Sequence, residues 1–537
     1  MSVGTLTREA RRPVLRSGVA GAARSPVALA VVGLTVLAGV LRFTRIGHQG
    51  FWFDEGNTAL LLQFSPGKLF SLIRHTESTP PLYYYLAWVW VRVFGHGEAG
   101  LRSLSAVVGV AVVPVAYGVG AKLVSRRAGV IVAALAACNP LLIWYSQEGR
   151  AYSLLVFLTA CSLLAFAFAL ESPTRRALAA WVIACALALA THYYAVVAVV
   201  PQAVWLLFVH RRRREVMVAV AIVGLCGLAL IPLAVSQNST GHDSWIRHAP
   251  FGPRLRQILP QLLIGTNAPA RVALKFVAFG AALVALVMLF AFRRGGVGRE
   301  GSRADGAGAL LAGALALAGF ALALAFVVAG SDSLITRNII ALWLPAAVAL
   351  AGGLALAPRG GWRVLAGAVA VAVCVIGVVA SVGIAFDRSM QRPDWRYVAR
   401  ALGPSPSTAG VPRAGRPVAG RAILIQHYKT LLPLSLYMPG LHYVTRRNIP
   451  VVRELDVISM TSPQQPLCWW GAACNLIPSQ MQARYDIPGF REVSRRRALQ
   501  WTILRLVSDR PVRLTPALVS RSLHTTTLRR DELLVQG

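Results

Sequence analysis

Long uninterrupted apolar runs constrain this chain more than any other feature. Segments rich in Ala, Val, Leu and Gly follow one another with short polar loops between them, and many exceed the ~18 residues with which a helix crosses a bilayer. Mean hydropathy is +0.58, and only 14% of residues are charged, where soluble proteins have about a quarter. We therefore predict an α-helical polytopic membrane protein. Its eleven predicted spans lie at about 27–46, 101–121, 128–146, 151–170, 177–193, 195–209, 216–235, 271–292, 307–329, 338–357 and 364–386.

The arginines predict the orientation of these spans. A formal net charge of +34 would suit a nucleic-acid partner, but the basic residues stand in short clusters between apolar runs, which is typical of cytoplasmic loops. Residues 1–25 are basic and predicted to be cytoplasmic, with the membrane domain at 26–386. Eleven spans then place all the later clusters inside: Lys122/Arg126/Arg127, Arg175/Arg176, Arg211–Arg214, Arg293/Arg294/Arg299/Arg303 and Arg359/Arg363. No nucleic-acid partner is expected.

One apolar segment, at about 81–94, is not counted as a span. It is shorter than the ~17 residues that a span needs, opens on Pro80-Pro81, contains Arg92 and is rich in Tyr and Trp. That composition is typical of a helix in the headgroup interface. Counting it as a span would turn every later basic cluster outward.

This topology gathers the acidic residues at the outer membrane face. Asp54 and Glu55 follow Phe51-Trp52-Phe53, Glu77 stands before the proline pair, and Glu148 follows the third span. Charge at this depth is costly unless it has a partner, so acids here indicate function. The alternatives are a solvated loop acid or a helix N-terminus at Asp54, and a surface ion pair between Glu148 and Arg150.

Three motifs carry a family resemblance: WFDEGNTALLL, ESTPPLYYYLAWVWVRVFG and the stretch that ends in WYSQEGRAYSLL. Together they resemble membrane glycosyltransferases of the C superfold, in particular the bacterial protein O-mannosyltransferase-like group with the lipid A aminoarabinose transferases. The similarity covers about residues 27–210. It implies an inverting transfer of a sugar from a polyprenyl-phosphate donor to an acceptor outside the cytoplasmic membrane, in cell-envelope biogenesis. The acceptor is a glycan, a lipid or a protein, and membrane lipids surround the enzyme.

The resemblance also implies roles for single residues. Asp54 matches the acid that activates the acceptor hydroxyl, and Glu55 would assist it. Glu148 and Glu77 match acids that orient substrate or coordinate a divalent cation such as Mg²⁺ or Mn²⁺. Thr79 replaces the histidine that relatives often place before the proline pair, so the metal is left open, with His75 as a candidate. No organic cofactor is implied.

Fixed positive charge near the outer face would bind the donor phosphate. Arg150 is one candidate, and Arg337 is the second because relatives place a phosphate-contacting arginine there. Ordinary snorkelling to the interface is the alternative for Arg337. Three further candidates are weaker: Arg247, His248 and His192. His192 falls at an outer turn, and a structural role is the alternative for it.

The last segment, 387–537, is predicted to be an extracytoplasmic α/β domain with strands at 422–426 and 501–506. Its basic composition suits an anionic polymer or lipid surface, or reflects composition alone. Residues 402–420 are rich in Pro, Gly and Ser and are predicted to be flexible. Cys468 and Cys474 are predicted to form a disulfide, since five residues separate them and outer compartments are oxidising.

Two other classes of function remain open. A transporter or flippase of lipid-linked sugars would also be polytopic, although such proteins usually show internal repeats and broken helices. A non-catalytic envelope-assembly protein would not need the Asp54 carboxylate.

Overall fold

The computed structural model describes residues 25–241, 244–293, 300–406, 420–425, 431–444, 449–460, 486–498, 501–515, 517–519 and 532–536. They divide into two compact units. The first contains residues up to 46 together with 64–384, and the second contains 47–63 together with the residues from 385 onward. The predicted Cys468–Cys474 disulfide and most of the Pro/Gly/Ser segment lie outside the described residues.

The first unit is helical. Its helices are α1 (Pro26–Phe43), α3 (Pro66–Thr76), α4 (Leu82–Phe94), α5 (Glu98–Leu123), α6 (Arg126–Cys138), α7 (Pro140–Ser146), α8 (Tyr152–Glu171), α9 (Arg175–Thr191), α10 (Val196–Val209), α11 (Arg214–Ala229), α12 (Ile231–Asn238), α13 (Ser244–His248), α14 (Phe251–Ile264), α15 (Arg271–Phe292), α16 (Glu300–Val328), α17 (Trp343–Ala355) and α18 (Gly361–Phe386). The helix α2 (Phe53–Leu61) lies in the second unit.

Every predicted span is helical, and the protein is a multi-pass membrane protein. Within the described residues, seven helices are long and apolar enough to cross a membrane, or eight if a bent pair forms one span. Others are shorter: α10 has 14 residues and α17 has 13, about 20 Å at 1.5 Å per residue. The count of eleven therefore stays a prediction. The 13 residues of α4 are also too few to span, as expected.

The bent pair is α6 and α7, which meet at 55° around Asn139-Pro140. Proline has no N–H to donate to the carbonyl of Ala136, so the helical hydrogen bonding is interrupted. The fully buried Arg42 of α1 replaces it, donating to the Ala136 carbonyl at 2.9 Å and the Ala137 carbonyl at 3.1 Å. The Asn139 side chain accepts from the Leu142 N–H at 3.1 Å and begins α7.

The second unit contains the predicted α/β domain. Its strands are β1 (Arg421–Ile425), β2 (Leu441–Tyr443), β3 (Val451–Met460), β4 (Arg491–Ala498), β5 (Trp501–Arg513) and β6 (Glu532–Gln536), with helices α19 (Trp395–Leu402) and α20 (Leu431–Ser435). The sheet order is β2-β6-β1-β3-β5-β4. Strands β1 and β3 are parallel, and the other pairs are antiparallel. Both predicted strands are confirmed.

Alternate residues of β1 contact different hydrophobic clusters, as the two-residue period of a strand requires. Ile423 and Ile425 pack with Trp395 of α19 and Leu434 of α20. Ala422 and Leu424 pack in the other cluster. The predicted boundary at 386/387 stays a prediction of where this domain begins. The compact unit that contains this domain also includes residues 47–63, which the sequence analysis assigned to the membrane domain.

Candidate functional site

A buried ion pair joins two of the predicted site residues. Glu77 ends α3 in an extended conformation, three residues before Pro80. Arg150, in the turn before α8, donates from Nη1 and Nη2 to the two carboxylate oxygens, each at 2.8 Å. Both residues are buried. This two-pronged geometry is the strongest form of an arginine–carboxylate contact.

Two hydroxyls line this pair. The Arg150 guanidinium lies 5.8 Å from the centre of the Tyr84 ring, and the hydroxyls of Tyr84 and Thr79 are 3.0 Å apart. Burial raises the pKa of the Tyr84 phenol well above its ordinary value, so this group stays a neutral hydrogen-bond donor. Thr79 therefore contributes a hydroxyl at a position where the family resemblance suggested a histidine.

A second guanidinium approaches the same side of α8. Arg337 lies 5.7 Å from the centre of the Tyr152 ring, at the first turn of α8. The Tyr152 ring also contacts Tyr145 at 4.7 Å and His192 at 5.7 Å between centroids. We refer to Arg150, Tyr152, His192 and Arg337 as the arginine cluster.

His192 is the neutral member of the arginine cluster. It is buried, and its Nδ1 accepts the backbone N–H of Tyr194 at 3.1 Å. An accepting Nδ1 leaves the ring proton on Nε2. Both Arg150 and Arg337 act electrostatically on this ring. The cluster therefore combines the Arg337 guanidinium, the Arg150 guanidinium whose charge Glu77 balances, and a neutral N–H donor, a set suited to an anion.

The loop before Arg337 is anchored to α14. Buried Arg254 donates to both carboxylate oxygens of Asp332 and to the Leu334 carbonyl at 3.1 Å. The hydrogen bond from Arg254 lowers the pKa of Asp332. Asp332 also accepts the Leu334 N–H at 3.3 Å. This pair fixes the backbone three residues before Arg337.

Gln237 of α12 anchors the loop that contains Glu77. Its buried amide donates to the carbonyls of Ile73 at 3.1 Å and Thr79 at 3.0 Å. Its oxygen accepts from the Tyr193 hydroxyl at 2.8 Å. The two carbonyls lie before and after Glu77 in the sequence, so the backbone on both sides of Glu77 is fixed.

The predicted catalytic acids lie in the second unit, in the first turn of α2. Asp54 is partly exposed, whereas Glu55 is 0% exposed. Of the two, Asp54 is thus the carboxylate that another molecule can reach.

The remaining residues that the sequence suggested are not part of the arginine cluster. Glu148 and Arg150 are both buried, so the surface-ion-pair alternative is wrong. His75 is exposed, with Nδ1 2.7 Å from the Ser71 carbonyl oxygen. Arg247 and His248 are exposed in the last turn of α13. Among the described residues, no group of three or more His, Cys, Asp and Glu side chains could hold a metal ion, so the divalent cation stays a prediction without a site.

Sequence reasoning missed several residues that build the site. Tyr84 and Tyr152 stand inside the recognised motifs, so the motifs themselves were the available signal. Gln237, Arg254 and Asp332 lie outside those motifs and have no local pattern that predicts their partners.

Comparison with known proteins supports the fold. A family model described as dolichyl-phosphate-mannose-protein mannosyltransferase matches residues 78–236. A search of curated protein sequences finds no match. ArnT from Cupriavidus metallidurans bound to undecaprenyl phosphate is similar at 15% identity, covering 91% of this chain and 98% of that chain, with a TM-score of 0.50.

The apo state of the same protein aligns over 90% of this chain and 98% of that chain, at 15% identity and a TM-score of 0.52. The oligosaccharyltransferase of Archaeoglobus fulgidus aligns at 13% identity over 72% of this chain and 56% of that chain, with a TM-score of 0.40. The fold class and the resemblance to C-superfold membrane glycosyltransferases are thereby confirmed.

Proposed function

We propose that the chain is an inverting glycosyltransferase that moves a sugar from a polyprenyl-phosphate donor to an extracytoplasmic acceptor, a cell-wall glycan, a lipoglycan or a protein. The observation that carries the proposal is the arginine cluster, in which Arg337 and the neutral, buried His192 both lie against the Tyr152 ring, two residues after Arg150. A lipid phosphate is an anion that such a cluster would bind. The family model that matches is that of dolichyl-phosphate-mannose-protein mannosyltransferases, and the similar ArnT structure is bound to undecaprenyl phosphate.

The arginine cluster would act on the leaving group. When the bond between the anomeric carbon and the phosphate oxygen breaks, its electron pair moves to the phosphate and increases the negative charge there. Arg337 would stabilise that charge, Arg150 would contribute N–H donors while Glu77 balances its charge, and the Nε2–H of His192 would donate to an oxygen without transferring a proton. Preorganised positive charge at a developing anion is among the larger contributions to catalysis.

Asp54 would act on the acceptor. The acceptor hydroxyl oxygen forms a bond to the anomeric carbon from the face opposite the phosphate, and its proton passes to the Asp54 carboxylate. The sugar is transferred with inverted configuration, and polyprenyl phosphate is released. Partial exposure in the first turn of α2 suits a carboxylate that must accept this proton.

We also propose that the protein lies in the cytoplasmic membrane with its N-terminus and basic loops inside and α4 in the headgroup interface. The second unit would then lie outside, where an extracytoplasmic acceptor is available. Single cysteines introduced at positions 389 and 212 test this orientation. An impermeant thiol reagent added from outside is expected to label position 389 only, and labelling of position 212 alone would contradict it.

Binding of undecaprenyl phosphate to the purified protein tests the donor half of the proposal. Arg337→Gln is expected to weaken binding about tenfold or more, because a charge-assisted contact is lost. Arg256→Gln, on the exposed face of α14, is the matched control and should bind normally. Equal affinity in both variants would remove the arginine cluster from donor recognition. Transport of the lipid without glycosyl transfer would favour a flippase, and neither activity would favour an assembly protein.

A further inference from the structure

The segment that contains Asp54 is held by the α/β domain through its backbone. Within the second unit, the Phe51 N–H donates to the Tyr437 hydroxyl at 2.7 Å, and the two rings stack with centroids 6.5 Å apart. The Arg396 guanidinium donates to the carbonyls of Gly47 and His48. The Arg392 N–H donates to the Gln49 side chain at 3.3 Å. Each of these contacts fixes a residue just before α2.

The helix α2 has no side-chain cap of its own. Trp52 occupies the N-cap position and makes no capping hydrogen bond, whereas Ser, Thr, Asp or Asn would do so. The first turn of α2, where Asp54 lies, therefore receives no hydrogen bond from the side chain at its N-cap position. The Phe51 N–H stands one residue before that N-cap, so its hydrogen bond to Tyr437 fixes the backbone next to the start of α2 from outside the helix.

The helix α2 packs against α20. A Cβ added to Gly56 would lie 2.9 Å from the Pro433 Cα, so only glycine permits this approach. The segment around α20 is itself anchored. Leu434 and Met438 are buried in the hydrophobic cluster of the sheet, and the Tyr437 N–H donates to the Leu434 carbonyl at 3.0 Å.

We propose that Tyr437 is a positioning residue for Asp54, and that the α/β domain thereby forms part of the transfer machinery. The inference rests on the proposed function and deepens it. The hydroxyl of Tyr437 fixes the backbone at Phe51, and the contact between Pro433 and Gly56 fixes the position of α2 on α20. Together these two contacts orient the Asp54 carboxylate toward the acceptor hydroxyl. Displacement of a reacting group by about 1 Å can cost about 100-fold in rate, so this support has kinetic consequences.

Tyr437→Phe tests the role because it keeps the stacked ring and removes only the hydroxyl. The matched control is Tyr397→Phe in the same domain, since no hydrogen bond to the Tyr397 hydroxyl is present within the described residues and this residue also packs beside the sheet cluster. Two quantities are measured on the full-length protein: kcat and KM for the donor, and amide hydrogen exchange over residues 47–63.

Tyr437→Phe is expected to lower kcat about tenfold with KM for the donor unchanged, and to accelerate exchange at Phe51. Tyr397→Phe should change neither. A second pair gives an independent readout: Gly56→Ala should accelerate exchange in α2, whereas Gly67→Ala, where an added Cβ meets no atom within 4 Å, should not alter exchange in its own helix.

Equal kcat and equal exchange in Tyr437→Phe and Tyr397→Phe would overturn the inference, as would faster exchange with unaltered kcat. If the wild-type protein transfers no sugar, the proposed function fails and the inference fails with it. An active wild type with two indistinguishable tyrosine variants would instead remove the positioning role alone.

Discussion

Arg150 donates to both carboxylate oxygens of Glu77, at 2.8 Å each, although 73 positions separate the two residues in the sequence. The side chains are only 11% and 3% exposed, so water screens neither charge effectively. A buried ion pair is costly to form but far more costly to leave half complete. The pair therefore fixes the turn before α8 against the end of α3.

Glu77→Gln should destabilise the protein, because the amide keeps the shape but places an N–H₂ group against a guanidinium donor. The expected cost is about 3 kcal/mol, seen as a lower thermal unfolding midpoint. Glu171→Gln is the control, since Glu171 pairs with Lys122 where the side chains are 43% and 26% exposed. Its cost should be under ~1 kcal/mol. Equal midpoints for the two variants would contradict the structural role of the buried pair.

The Arg254–Asp332 pair predicts an effect on donor binding at a distance. Arg254→Gln releases the Leu334 backbone and hence the loop that carries Arg337, so undecaprenyl phosphate should bind about tenfold more weakly. Asp332→Asn should act similarly, and the double variant should not be additive, because both changes break one contact. Arg256→Gln, two positions along the same helix, is the control. Normal affinity in Arg254→Gln would show that this anchor does not position Arg337.

A partly buried acid in the α/β domain predicts a pH dependence of stability. Burial, and then the neighbouring Asp456, raise the pKa of Glu454 from 4.5 to about 7, against the opposing charges of Arg505 and Arg421. Between about pH 4.5 and about pH 7 the folded state therefore binds more protons at this group than the unfolded state. The free energy of unfolding should fall as the pH rises through that window.

Glu454→Gln should flatten this dependence, because the amide resembles the protonated acid at every pH. The measurement is the unfolding midpoint of the full-length protein across the window. Glu492→Gln, at an exposed position of β4, serves as the control and should leave the slope unchanged. A slope that persists undiminished in Glu454→Gln would assign the pH dependence to other groups.

The sequence was sufficient to predict what depends on local composition. Long apolar runs predicted the helices of the first unit, and the short strand-like segments at 422–426 and 501–506 predicted β1 and β5. The interfacial segment was too short to span, and α4 has 13 residues. These properties follow from helix geometry and bilayer thickness, which any single segment must satisfy by itself.

Pairings between distant positions could not be predicted. The Phe51 N–H and the Tyr437 hydroxyl are 386 positions apart, and Arg254 and Asp332 are 78 apart. No spacing rule connects such residues, because their contact depends on how whole elements pack. For the same reason the sequence grouped residues 47–63 with the spans, whereas they pack with the α/β domain. The short helices α10 and α17 also leave the number of spans open.

Transfer by the Asp54→Asn variant tests the central claim most directly. The purified protein is supplied with radiolabelled polyprenyl-phosphate sugars and envelope acceptors, and both labelled product and bound donor are measured. Asp509→Asn, at an exposed position of the same unit, is the control. Asp54→Asn is predicted to bind donor normally and to lose about 10²–10⁴-fold in transfer rate, as expected when a general base is removed. Transfer at the rate of Asp509→Asn would contradict the account.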